Sequence, residues 1–407
     1  MQNGGKPILP LLRAIRWWTR VPVRDGALIP LLTSTLRHAN ICFAGSDEPA
    51  FALLLRRLHE AAPFLEMLSI HMGPELDSLG LSLIQELISF DRLRDVRITK
   101  IRDLSAFQAI VTKANLTSLD VVARRGNTGS WVGFASRAVS VFNLCELTVS
   151  GCGPEVSDIF RTIRFHALKS VAVELDFPAE SLVTPTDIIT FLGLFYNAVS
   201  DSELQSFKLT ANINILGLGP HGQSEPSLRD LLAPILPIRG LRSFCLLARM
   251  KTVIARLDDA DIRTLATAWP RLERLFIDRW KFTPESSVSI NAIHDLYTHC
   301  ADLQELSIPS FHWAAIGVHS IPPPRDCSPA HPLWHLSMSA SGPDLSDEGA
   351  EAMARYLLDL FPSLDPRRKI EDDPYSFEIL RPARNIDDEW KKVARHIVFI
   401  RSAPNRL

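Results

Sequence analysis

The sequence predicts an α/β solenoid, with parallel strands on one side and helices on the other, repeated about twelve times. Three observations carry that prediction. An apolar phrase, L-x-x-L-x-L with L any apolar residue, begins at Leu12, Leu36, Leu65, Leu93, Leu116, Leu144, Leu168, Leu204, Leu241, Leu272, Leu303 and Leu333. The starts lie 23 to 37 residues apart, the range in which self-similarity marks a repeat array. Between the phrases run helical patterns, so strand and helix alternate along the chain.

Each phrase is short and alternating, which is strand periodicity. In Leu144-Cys145-Glu146-Leu147-Thr148-Val149 the residues 144, 147 and 149 turn inward, while Glu146 and Thr148 face out. The phrases at Leu65, Leu272 and Leu303 read the same way. This is the strand segment of a leucine-rich repeat. A strand–helix–strand crossover is right-handed, so the expectation is a right-handed solenoid with strands inside and helices on the outer face.

The helices follow in order. Phe51 to Leu58 is apolar and helical in pattern and stops at Pro63; Leu79 to Phe90 carries apolar residues at 79, 83, 84, 87 and 88. Thr186 is placed to cap a helix from Asp187 to Val199, Asp258 one ending at Trp269, and Ser286 or Ser287 one ending at Cys300. Past Met338 the phrase stops. Ser346 caps a helix from Asp347 to Phe361, a charged stretch runs from Asp365 to Asn385, and Ile386 to Ile400 sets Trp390, Val393, Ala394 and Ile397 on one helical face. Solenoid ends need a polar-backed cap. The expected organisation is therefore a repeat solenoid over residues 8–344, with a helical cap and tail over residues 345–407.

Two features make the repeats irregular. The full phrase places Asn or Cys eight residues after its first Leu. Cys152 and Asn212 fit, but the position otherwise holds residues such as Gly73, Ile101, Arg124, Trp280 and Phe311. The repeats starting at Leu168 and Leu204 are long enough to carry insertions, one of them in the tract Gly217 to Pro226. Pro322-Pro323-Pro324 places an irregular loop between the last two strands.

Composition fits a chain with a large core. Hydrophobic residues make up 46% of 407, and the net charge of -2 implies no bulk attraction to nucleic acid or anionic lipid. The six cysteines are scattered with no C-x-x-C pair, so they read as reduced thiols. Ile8 to Leu12 is too short for a signal-peptide core, and no apolar run is long enough to span a bilayer. The expectation is a cytoplasmic or nuclear protein that binds neither nucleic acid nor membrane.

The strand phrase, Pro-stopped helices, irregular spacing and Asp388-Glu389-Trp390 helix resemble the repeat region of fungal F-box-type leucine-rich-repeat proteins. The resemblance covers roughly residues 8–400 at the level of pattern. In that family an N-terminal F-box docks the adaptor of a cullin–RING ubiquitin ligase and the repeats hold its substrate. Here the phrase starts at Leu12, so no F-box is expected within this chain. The resemblance implies substrate recognition, with the cullin–RING machinery as partner where an F-box is supplied elsewhere. A stand-alone scaffold or inhibitor is the alternative.

No residue set points to catalysis. Gly217-Leu218-Gly219-Pro220-His221-Gly222 matches G-x-G-x-x-G, but no carboxylate stands about twenty residues on, and Pro220 removes a phosphate-binding N–H. His312, His319, His331, His335 and Cys327 are ligand types at spacings that fit no zinc arrangement, so they read as solvated loop residues. No metal and no cofactor is expected.

Function is therefore expected on the concave sheet face, where the third, fifth and seventh positions of each phrase project outward. Recognition of a protein partner there points to Trp18, His71, Arg97, Glu146, Arg274, Phe276 and Asp278. Trp, Arg and other aromatic residues dominate binding hot spots, and the charged members supply specificity.

Overall fold

The computed structural model describes residues 9–19, 31–43, 48–72, 81–101, 103–123, 138–177, 183–213, 226–250, 255–278, 286, 288–312, 331–340, 345–367 and 388–402. Its contacts divide the chain into two compact units. One comprises Met1–Phe177 with Gly193–Leu204, the other Pro178–Leu192 with Gln205–Leu407.

All twelve phrases are strands, and every strand starts at the third residue of its phrase. In the first unit these are β1 (Ala14–Thr19), β2 (His38–Phe43), β3 (Met67–Met72), β4 (Asp95–Ile101), β5 (Ser118–Ala123), β7 (Glu146–Cys152) and β9 (Ser170–Phe177). They pair in parallel, each with the next, in the order given. In the second unit β10 (Ser206–Ile213), β11 (Ser243–Met250), β12 (Arg274–Asp278), β13 (Glu305–Phe311) and β14 (His335–Ala340) do the same. Both units are thus built of leucine-rich repeats.

The inward positions are core. Leu36, Ile41, Leu68, Ile70, Leu93, Leu144 and Val149 are buried in the first unit, as are Leu246, Leu272, Ile277, Leu306 and Leu333 in the second. The missing Asn or Cys is replaced by bulk: Ile101 and Phe311 fill that position completely buried. Both sit where the ladder slips, between Ile98 and Ile101 and between Ile308 and Phe311. A bulge admits the extra residue. Gly73, Arg124 and Trp280 lie outside the described residues.

Strand starts are held by a recurring pair of hydrogen bonds. The N–H groups of Arg37 and His38 both donate to the carbonyl of Arg13, at 2.8 and 3.0 Å, and those of Glu66 and Met67 to Arg37. The pattern repeats through the first unit to Cys145, and through the second from Gln205 to Gln304. Close packing also fixes Gly151 in β7, where a Cβ would lie 2.2 Å from the Ala123 carbonyl oxygen.

Helices cover the other side of the sheet. In the first unit α1 (Glu48–Ala61), α2 (Leu81–Ile88) and α3 (Leu104–Val111) pack in succession. Arg56 of α1 reaches Glu86 of α2 at 2.6 Å. Next is α4 (Gly153–Thr162), followed directly by β8 (Ile163–Phe165), which pairs in parallel with β6 (Val139–Val141) in a short ladder outside the repeat phrases. Helix α5 (Pro185–Val199) contributes to both units. Its cap is Thr184, not the expected Thr186: the Asp187 carboxylate accepts from the Thr184 N–H at 2.8 Å, and Thr184 Oγ1 accepts from the Asp187 N–H at 3.3 Å. That reciprocal box satisfies two end groups at once, which Thr186, inside the helix, could not do.

The second unit adds α6 (Leu228–Leu232), α7 (Asp259–Ala268), α8 (Ile290–His299), α9 (Asp347–Leu360) and, last, α10 (Asp388–Ser402). Asp258 and Ser346 cap α7 and α9 as the sequence suggests. Ser289 caps α8 in place of Ser286, which instead accepts the Leu257 N–H at 2.9 Å; Ser287 lies outside the described residues. Helix α10 packs on α9 through buried Trp390, Val393 and Ile397.

Candidate functional site

The strand ladder sets the outward side chains in rows that cross the sheet. In the first unit the fifth-position row runs Arg16, Asn40, Ser69, Arg97, Asp120, Thr148, Ala172. The third-position row beside it runs Ala14, His38, Met67, Asp95, Ser118, Glu146, Ser170. Across β1 to β4 these rows line a groove of about 410 Å³, with Arg16, His38, Asn40, Met67, Ser69 and Arg97 in its walls.

Its electrostatics are those of a half-dry surface. Ser69 is 5% exposed, and its Oγ lies 3.0 Å from His71 Nε2. Beside the groove, the Arg97 guanidinium stands 3.7 Å from Asp95. Burial pushes the Asp95 and Asp120 carboxyls above the usual carboxylate range, against the opposing pull of Arg97. The Asn40 Oδ1 is buried without a hydrogen-bond partner. At the edge of the sheet Trp18 is 67% exposed, and the Arg16 guanidinium lies 5.4 Å from its ring centroid.

The sequence-predicted residues divide between the units. Trp18, His71, Arg97 and Glu146 all stand on the outward rows of the first sheet, with Arg97 in the groove wall and His71 hydrogen-bonded to Ser69 of that wall. Arg274 and Phe276 stand on β12, where Arg274 lies 3.8 Å from Glu305. Asp278 ends that strand, and its side chain lies outside the described residues. Arg16, His38, Asn40 and Ser69 complete the groove and are not among the sequence-predicted residues. Reading the repeats down each column, rather than along the chain, was the signal that could have found them.

Three expectations need correction. Glu305, Leu247 and Pro309, at outward positions, are buried. Glu305 stands on the ladder between Arg274 and His335. His331 is not a solvated loop residue: it is 5% exposed, donates from Nε2 to the Cys300 carbonyl at 3.0 Å, and accepts the Leu333 N–H on Nδ1 at 3.3 Å. Its ring packs between Tyr297 and Phe361, and burial lowers its pKa. Burial pushes His335 down to about 4.

His319, Cys327 and the tract Gly217–Gly222 lie outside the described residues. Among the described residues no group of three or more His, Cys, Asp or Glu side chains is placed to hold a metal. No helix among them is long and apolar enough to cross a membrane.

No protein-family model and no curated protein matches this chain. Among solved structures it is similar to the leucine-rich-repeat-containing protein LegL7 of Legionella pneumophila, at 11% identity and a TM-score of 0.32, covering 95% of this chain and 92% of that one. It is also similar to a leucine-rich-repeat protein of Leptospira interrogans, at 12% identity and a TM-score of 0.24, covering 88% of this chain and 90% of that one.

Proposed function

We propose that the chain is a non-catalytic protein-recognition module, cytoplasmic or nuclear, that holds its partner on the outward face of the first unit's sheet. The observation that carries this reading is the groove across β1 to β4, flanked by the exposed Trp18 and Arg16. A parallel ladder holds such side chains on a rigid frame, so little ordering entropy opposes binding. The resemblance to F-box-type repeat proteins extends the reading: the partner is then a ubiquitin-ligase substrate.

Photo-crosslinking tests it. With p-benzoylphenylalanine in place of Trp18, a partner captured from lysate is expected. The same probe in place of the exposed Leu53 on α1 should capture none. Capture from Leu53 alone, or a thermal shift with zinc or a nucleotide, would overturn the reading. The ligase extension requires a cullin–RING adaptor among the captured proteins, and its absence removes that extension.

A further inference from the structure

We infer that the groove of the first unit takes an extended, acidic peptide segment whose two carboxylate side chains stand four residues apart. This rests on the proposal that the outward sheet face is the recognition surface. The charge of the lining comes first: it contains the guanidiniums of Arg16 and Arg97 and the imidazole of His38, and no carboxylate. Among the described residues Arg16 has no carboxylate partner, its contact being the Trp18 ring. Arg97 is 52% exposed, so its guanidinium remains reachable from the groove beside Asp95.

Spacing comes second. Arg16 and Arg97 stand in one row, on β1 and β4, with Asn40 and Ser69 between them. Three strand intervals of about 4.8 Å separate them by roughly 14 Å at the backbone. An extended chain covers that distance in about four residues at roughly 3.4 Å each, and side chains four apart point the same way. Two acidic side chains at that spacing meet both guanidiniums in charge-assisted hydrogen bonds.

The probe is a fluorescein-labelled nonapeptide library with Glu fixed at two positions four apart and the other positions mixed, read by anisotropy against the full chain. It should bind roughly tenfold tighter than the matching Gln library, and tighter than a library with the two Glu residues two apart. Binding should weaken as salt rises. Arg16→Glu, at an exposed position, should abolish the acidic preference while leaving the circular-dichroism melt unchanged. Arg97→Gln should reduce it, and if that variant fails to fold, Arg16→Glu carries the test.

Equal binding of the Glu and Gln libraries would overturn the inference. So would an acidic preference that survives Arg16→Glu, or displacement of the Glu library by a single-stranded oligothymidine that itself binds tighter. Partner capture through position 18 by a chain indifferent to acidic peptides would sink this inference and leave the proposed function standing. Loss of both would sink both.

Discussion

The two units run one strand program and finish it differently on the outward face. In the first, the rows across β1 to β4 are mostly polar and, Ser69 apart, at least partly exposed, with half-buried carboxyls beside a groove walled by arginines. In the second, the corresponding positions include the buried Glu305, Leu247 and Pro309. The helix layers also differ. In the second unit, consecutive repeats are tied at their helix starts: Asp261 accepts the Arg229 N–H at 3.2 Å and the Asp258 N–H at 2.9 Å, and Asp259 accepts the Ser289 N–H at 2.6 Å. Arg263 adds a 2.9 Å contact to Asp295. A shared ladder therefore sets where side chains point, while the residues placed on it decide whether a face is a surface for others or part of the structure.

The largest effects should come from the core that both units share. Leu147→Ala and Leu306→Ala each remove a fully buried side chain, at a cost of about 2–5 kcal/mol. Urea unfolding checks both. If the units unfold separately, each change moves its own transition, and a common shift by both variants would merge the two into one cooperative block.

Acid should affect the second unit more than the first. The pKa values of His331 and His335 are lowered in the folded chain, His335 to about 4, by burial. A His with a depressed folded pKa supplies stability that is complete above its unfolded value near 6.5 and declines as pH falls below it, because only the unfolded chain takes up the proton. For His335 the loss approaches about 3 kcal/mol by pH 4. Melting curves between pH 7 and pH 4 should show this decline, and His335→Gln should flatten it.

Smaller effects separate the helix layers and the faces. Asp261→Asn keeps the shape but turns one of two acceptors into a donor facing an N–H, costing about 1–3 kcal/mol. Gly151→Ala forces a methyl against the Ala123 carbonyl and should cost about 1–3 kcal/mol. Trp18→Ala should change stability by less than about 0.5 kcal/mol while weakening affinity for the captured partner, read by pull-down with the uncrosslinked chain. A stability loss as large as that of Leu147→Ala would make Trp18 structural and erase the contrast between the two faces.

How much of this was legible in the sequence follows from distance along the chain. Strand starts depend on apolar alternation within six residues, and each was readable. Caps depend on which of several nearby Ser, Thr or Asp side chains closes a reciprocal bond, so Thr184 and Ser289 displaced Thr186 and Ser286 by a turn or less. The burial of His331 depends on Tyr297 and Phe361, which its Pro-rich neighbourhood does not announce. The groove depends on residues one repeat apart, with Arg16 and Arg97 three strand intervals apart. Its members were visible as outward positions, but their grouping appeared only when the repeats were stacked.

The paired N–H donors at each strand start have a consequence for how such a chain can change. Because the amides of a strand's first residue and of the residue before it lock onto the carbonyl of the residue that precedes the earlier strand, each repeat is indexed by its predecessor and not by its own length. Extra length between strands, as in the 37-residue repeat from Leu204, leaves the phase of the next strand untouched, since Arg242 and Ser243 still close on the Gln205 carbonyl. Loops can lengthen, shorten and diverge while every outward row keeps its membership, so the outward face can be inherited intact through changes that rewrite most of the surrounding sequence.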